Sequence, residues 1–160
     1  MTPKEEVIEF VSELQKMKGC DELPSKIIGM LFIEDKEISM EQLAERTGYS
    51  LSAVSTTMKI LIKSPAIKKL RKPGSKKLYF YMEKNIGKII IETLENTTEK
   101  VMKSAIHKMP KLIENYKKEK PENYKKDVIV LEKYYRQLTV IEKETKKFKE
   151  NLKRNLADVK

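Results

Sequence analysis

The chain has one cysteine, Cys20, one histidine, His107, and five glycines among its 160 residues. A single cysteine excludes an intramolecular disulfide, and Cys20 with His107 cannot supply the four N/S ligands of a closed structural zinc site. Gly19, Gly29, Gly48, Gly74 and Gly87 make no phosphate-cradling loop, and no Gly-x-Ser-x-Gly elbow occurs. His107 has no catalytic spacing around it and is read as a surface or seam histidine; Cys20 is read as an inert thiol, since nothing near it in sequence lowers its pKa. An enzyme is therefore not expected, nor a metal or a cofactor. No apolar run approaches the ~20 residues that cross a membrane, and the start MTPKEEVIEF carries acids where a signal peptide is basic. The expectation is a soluble, cytoplasmic protein.

An apolar share of 39% beside 36% charged residues predicts a small core with long exposed helices, one ordinary domain plus an appendage. The net charge of +10 points to a polyanionic partner. Acids are missing from one window altogether: between Arg46 and Met82 there is no Asp or Glu, while Arg46, Lys59, Lys63, Lys68, Lys69, Arg71, Lys72, Lys76 and Lys77 are basic. After Asn85 the lysines are interleaved with glutamates, the usual look of a solvated helix face.

Thr2, Pro3 and Glu5 form a helix start, and Val7, Phe10, Val11, Leu14 and Met17 recur at three and four, which predicts one buried face. Pro24 opens a second helix whose apolar residues Ile27, Ile28, Met30, Leu31 and Ile33 cover most of its circumference, marking the centre of the core. After a short extended piece at Ile38, Ser39 and Gln42 give a capping box for a third helix, MEQLAERT, closed by Gly48. Ser50 caps a fourth. There Val54, Met58 and Leu61 point inward, so Ser52, Ser55, Thr56 and Lys59 share the outer face. Hydroxyls and a lysine approach base edges and phosphates closely, whereas a carboxylate would repel them. The next segment, AIKKLRKPGSKKLYFYME, has two β-rich runs around Pro-Gly-Ser and reads as a hairpin with a basic tip. Its aromatic trio Tyr79, Phe80 and Tyr81 is read as strand packing rather than a base-stacking platform.

Helix, helix, short strand, LAERTGYSLSAVSTTMKIL and a basic hairpin resemble the winged helix-turn-helix regulators of the MarR superfamily, over about Leu23 to Glu83. DELPSKIIGMLFIEDKEISMEQLAERTGYSLSAVSTTMKIL is similar to the GbsR-type branch. The resemblance implies a mainly α fold with a small β-wing and a homodimer, usually a repressor, on pseudo-palindromic promoter DNA. The double-stranded DNA would be held by Ser50, Ser52, Ser55, Thr56 and Lys59 on the recognition helix and by Lys69, Arg71, Lys72, Lys76 and Lys77 on the wing. On this reading residues 1–84 are the DNA-binding domain, with the first helix available to the dimer interface, and residues 85–160 are a helical dimerisation region.

That region carries narrow apolar stripes, broken at Pro121 and expected to kink or break at Pro110, which are seams for partner helices. Ile90, Leu94, Val101, Leu131, Tyr135, Leu138 and Leu152 are the dimerisation candidates. No residue cluster announces an effector ligand. The competing class is a winged-helix protein-interaction module of a transcription or chromatin assembly, or a general nucleic-acid binder using the same basic surface. Sequence selectivity separates them, since a regulator prefers its site by about 4–10 kcal/mol over random DNA.

Overall fold

Helix α1 (Pro3–Met17) starts at the expected capping box: Thr2 Oγ1 accepts from the Glu5 amide at 3.3 Å, and the Glu5 carboxylate accepts from the Thr2 amide at 2.6 Å. Two of the free donors that every helix start leaves are thereby satisfied. Helix α2 (Glu22–Ile33) packs on it closely. A Cβ built on Gly29 would stand 2.5 Å from the Ile8 carbonyl oxygen and 2.7 Å from Ser12 Oγ, so only glycine permits this approach. The buried hydroxyls nearby bond within their own helices, Ser12 to Ile8 O at 2.6 Å and Ser25 to Asp21 O at 2.7 Å. This contact also corrects the expected α1 face. Val11 and Ser12 are buried, while Phe10 (60% exposed), Leu14 and Met17 are outside, because α2 is seated over Ile8 and Ser12 and not over the apolar stripe.

The computed structural model describes residues 1–157 and 159, the side chain of Thr97 excepted. Its contacts divide it into two compact units, residues 1–86 and 87–160. In the first, α2 is the centre, as expected: it meets α1, α3 (Met40–Thr47), α4 (Leu51–Leu61) and β3 (Leu78–Met82). Ile27, Leu31, Leu43, Val54, Met58 and Phe80 are almost completely buried. Strand β1 (Ile38–Ser39) and strand β2 (Ile67–Arg71) flank β3 in an antiparallel sheet of order β1-β3-β2, with Phe80 opposite both Ile38 and Lys69. Phe80 packs inward while Tyr79 and Tyr81 lie half-exposed. Past the end of β3, Lys84 donates to the Leu31 carbonyl in the last turn of α2, one of the acceptors a helix end leaves free.

The second unit comprises helix α5 (Ile86–Thr93, from Gly87), a π-helical segment (Leu94–Glu99), α6 (Lys100–Glu119) and the 33-residue α7 (Tyr124–Leu156). Helices α6 and α7 form a hairpin around Met109, Ile113 and Val128, with Tyr116, Tyr124, Leu131 and Tyr135 packed beside them. Pro110 does not break α6. It deletes one backbone bond, and the seam residues on either side of it, Met109 and Ile113, hold the helix through. A further irregularity falls at the π segment, which the apolar rhythm does not announce. At Pro121 the chain does turn, with Lys120 and Asn123 both at positive φ.

Gly29→Ala should destabilise the protein by about 1–3 kcal/mol, read as a lowered denaturant midpoint with unchanged m-value, because the added methyl meets backbone that cannot step aside. A neutral Gly29→Ala would mean that α1 does not pack on α2 this closely.

Candidate nucleic-acid interface

Helices α3 and α4 are joined by the turn Gly48–Ser50, with Gly48 at φ 75°, a conformation glycine adopts without strain. Ser50 Oγ accepts from the Ala53 amide at 3.2 Å, so this predicted contact residue is committed first to capping α4. With Val54 and Met58 buried, α4 turns Ser52, Thr56 and Lys59 to the outside, as their spacing requires. Ser55 is half-buried. It lies with Lys59 and Lys69 around a small cleft of about 90 Å³ floored by Met58, Leu78 and Phe80. The cleft brings one hydroxyl and one lysine of α4 beside a lysine of the hairpin. Three outward side chains lie outside the sequence reading: Tyr49 in the turn, Leu51, 50% exposed, at the first position of α4, and Ile60 near its end. Apolar surface at a helix start of this kind suits a thymine methyl group, but only the burial pattern reveals it.

The hairpin tip is a Lys72-Pro73-Gly74-Ser75 turn. Ser75 N donates to Lys72 O at 3.1 Å and Gly74 has φ 75°, the signature of a type II turn with Pro and Gly at its centre. Lys69, Arg71, Lys76 and Lys77 are exposed around it. Lys72 is held differently: its Nζ lies 3.3 Å from Glu37 Oε2 and 4.5 Å from the centre of the Tyr79 ring. The wing lysine next to the turn is thus partly neutralised by an acid from β1's flank.

The same happens at the other end of the acid-free window. Arg46 Nη1 and Lys4 Nζ each lie 2.9 Å from Glu34 Oε1. The hydrogen bond from Lys4, then that from Arg46, holds the Glu34 carboxyl below the usual carboxylate range against the opposing effect of burial. Sequence distance hid both pairs, because Glu34 and Glu37 precede the window and meet it only through the fold. A groove on the α1–α2 side of this unit is lined by Glu5, Glu9, Glu13 and Glu22 together with Lys16, Lys26 and Arg46; its mixed charge favours phosphate less than the surface of α4 and the hairpin, elements with no acid of their own.

The dimerisation candidates separate into two groups. Leu131 and Tyr135 pack against the chain's own α6–α7 seam and Leu138 is buried, while Leu94 and Leu152 are half-buried. Ile90 and Val101 are exposed. A different set on α7 is left uncovered: Val130, Tyr134, Ile141 and Phe148, each more than half exposed. The stripe read from the sequence was real, but most of its α7 members serve the intramolecular hairpin.

No protein-family model matches the chain, and no curated protein is significantly similar to it in sequence. Its fold is similar to a solved structure described as the crystal structure of a transcriptional regulator, with a TM-score of 0.66 and 18% identity over 96% of this chain and 99% of the other. At that identity the likeness is one of fold. The expected fold class holds: a mainly helical chain with a helix-turn-helix and a small antiparallel sheet whose hairpin forms the wing.

Glu34→Gln should cost about 1 kcal/mol at neutral pH, the partly exposed partners limiting the loss. Because the folded pKa of Glu34 is depressed, the wild-type advantage is complete above about pH 5 and disappears as the pH falls through the folded value. Denaturation of both proteins across that range checks it; an advantage that persists at low pH would rule out the ion pairs as its source.

Proposed function

We propose that the protein is a dimeric, sequence-specific DNA-binding transcriptional regulator of the GbsR-type branch of the MarR superfamily, a cytoplasmic repressor and not an enzyme. The observation that carries this reading is the juxtaposition of α4 and the hairpin. An acid-free helix face of Ser52, Thr56 and Lys59 stands beside a basic wing, with Ser55, Lys59 and Lys69 around one cleft. In this arrangement α4 enters a major groove, its hydroxyls meet base edges, and Arg71, Lys76 and Lys77 grip phosphates alongside. The regulator that shares the fold supports the assignment.

The dimer is supported by the hairpin unit. Tyr134, Ile141 and Phe148 recur at seven, with Val130 four residues before them, the rhythm of a helix seam, and each is more than half exposed among the described residues. On α6, Val101 and Leu112 are exposed in the same way. Val130 of the α7 stripe and Tyr116, one turn beyond Leu112 on α6, border one groove, which supports reading both stripes as one side of the hairpin. A second copy laid on this side covers both. Twofold symmetry then presents two recognition helices to half-sites about 34 Å apart.

Fluorescence anisotropy on the protein's own upstream DNA and on a scrambled duplex, over a salt series, tests the reading. A regulator that controls its own promoter prefers the upstream DNA, and the absence of duplex binding would transfer the assignment to a protein-interaction module. Ser55→Ala and Thr56→Ala should change base preference more than salt dependence, whereas Lys76→Ala should weaken all sequences alike and lower the salt slope by about 0.9. Ile141→Glu should give a folded monomer by light scattering with weakened operator binding; a dimer that survives it would place the seam elsewhere.

A further inference from the structure

The charges of α7 look mixed in sequence but are sorted in space. Lys125, Lys133, Arg136, Lys143, Lys147 and Arg154 fall on one line of the helix surface, separated by three, four, seven or eight residues, and all six are exposed. Ile129, Val140 and Asn151 fill intervening positions of that line, with the acid Glu150 beside Asn151 between Lys147 and Arg154. The acids of α7 lie elsewhere or are engaged: Glu132 reaches across to Lys117 of α6 at 2.6 Å, and Glu142 holds Lys146 at 2.6 Å. Three acids border the line: Glu144 lies 2.9 Å from Lys147, exposed Glu150 stands three residues after Lys147 and four before Arg154, and Glu132 stands four before Arg136; such surface neighbours weaken the row only a little. The line points away from the hairpin seam, because Val128, Leu131, Tyr135 and Leu138 occupy the other side of the helix. It also stands apart from the apolar stripe of Val130, Tyr134, Ile141 and Phe148. From Lys125 to Arg154 it runs about 44 Å at the helical rise.

We infer that this face of α7 is a second, sequence-independent contact for the phosphate backbone of duplex DNA, additional to α4 and the wing; the inference rests on the DNA-binding reading given above. A straight, rigid row of cations matches a stiff, regularly charged rod. The absence of any aromatic side chain on the line disfavours single strands, which are held by stacking. Anionic membranes need a broad apolar wedge beside the charges, and this line offers only Ile129 and Val140.

The test neutralises four members together, Lys133→Gln, Arg136→Gln, Lys143→Gln and Lys147→Gln, in the full chain. A control of equal charge change carries Lys100→Gln, Lys108→Gln, Lys111→Gln and Lys120→Gln on the α6 side. All eight residues are exposed, and circular dichroism verifies folding. Binding is measured on a random duplex of about 60 base pairs over a salt series, and on phosphatidylserine vesicles. The row variant should bind the duplex roughly tenfold or more weakly and lose about three units of salt slope, with the control losing far less. Equal losses in the two variants, an unchanged slope in the row variant, or loss confined to the vesicles would each overturn the inference. If the wild type prefers an inverted repeat but the row variant keeps its slope, the inference fails and the regulator reading stands. If the row variant loses slope in a protein without sequence preference, the row is a DNA contact and the regulator reading fails. No duplex binding by the wild type overturns both.

Discussion

The burial of α2 around most of its circumference, with Glu22, Lys26 and Phe32 turned to solvent, is the constraint from which the winged domain follows. A helix apolar around most of its circumference has little solvated face to spare, so α1, α3, α4 and β3 all pack on it. Each contact uses a different device. Gly29 lets the backbone of α1 approach, Ile27 and Leu31 fill the interior, and Lys84 closes a carbonyl at the C-terminal end. Just past that end, Glu34 collects Lys4 from the start of α1 and Arg46 from the end of α3. The turn that launches α4 begins at Gly48, two residues after Arg46. The orientation of the candidate recognition helix is therefore inherited from α2 through α3.

Electrostatics in this chain cannot be judged from linear composition. The acid-free window is a fact of sequence, yet the fold sets acids against Arg46 and Lys72 and brings Glu41 within electrostatic reach of Lys77. What stays cationic at the surface is narrower: Lys59 on α4, and Lys69, Arg71, Lys76 and Lys77 on the hairpin. In α7 the opposite holds. Lysines and glutamates alternate along the chain, but the helical period largely separates them, sending Glu132 toward α6 and Glu142 off the line and leaving a mainly cationic line outside, with Glu150 beside its C-terminal end.

The π segment shows how the second unit holds its longest helix. Glu95 and Glu99 sit four residues apart on it and both face α7. Glu99 Oε1 lies 2.5 Å from Lys149 Nζ, with both side chains largely covered, and Glu95 bonds Lys153 at 2.7 Å. Removing one partner of such a covered pair leaves a charge without its counter-charge, a far larger penalty than the pair's own net contribution. The pairs fix the register of α7 against the π segment, where LENTTE offers no large apolar residue after Leu94 to do so.

Much of the architecture was determined by local chemistry and was legible in the sequence. The capping boxes at Thr2–Glu5 and Ser39–Gln42, the Gly48 and Gly74 turns and the all-round apolar α2 each follow from what a few adjacent residues need for their own hydrogen bonds and dihedrals. The outward face of α4 followed too, since period and polarity fix it. The tertiary structure alone decided whatever depends on residues distant in sequence. It chose which side of α1 meets α2, gave Leu131 and Tyr135 to the chain's own hairpin, and carried α6 through Pro110 on the packing of its neighbours. It also neutralised Lys72 with Glu37. A periodic stripe announces that a face will be buried, but its partner is chosen by whichever surface fits most closely, and that choice exists only once the helices have met.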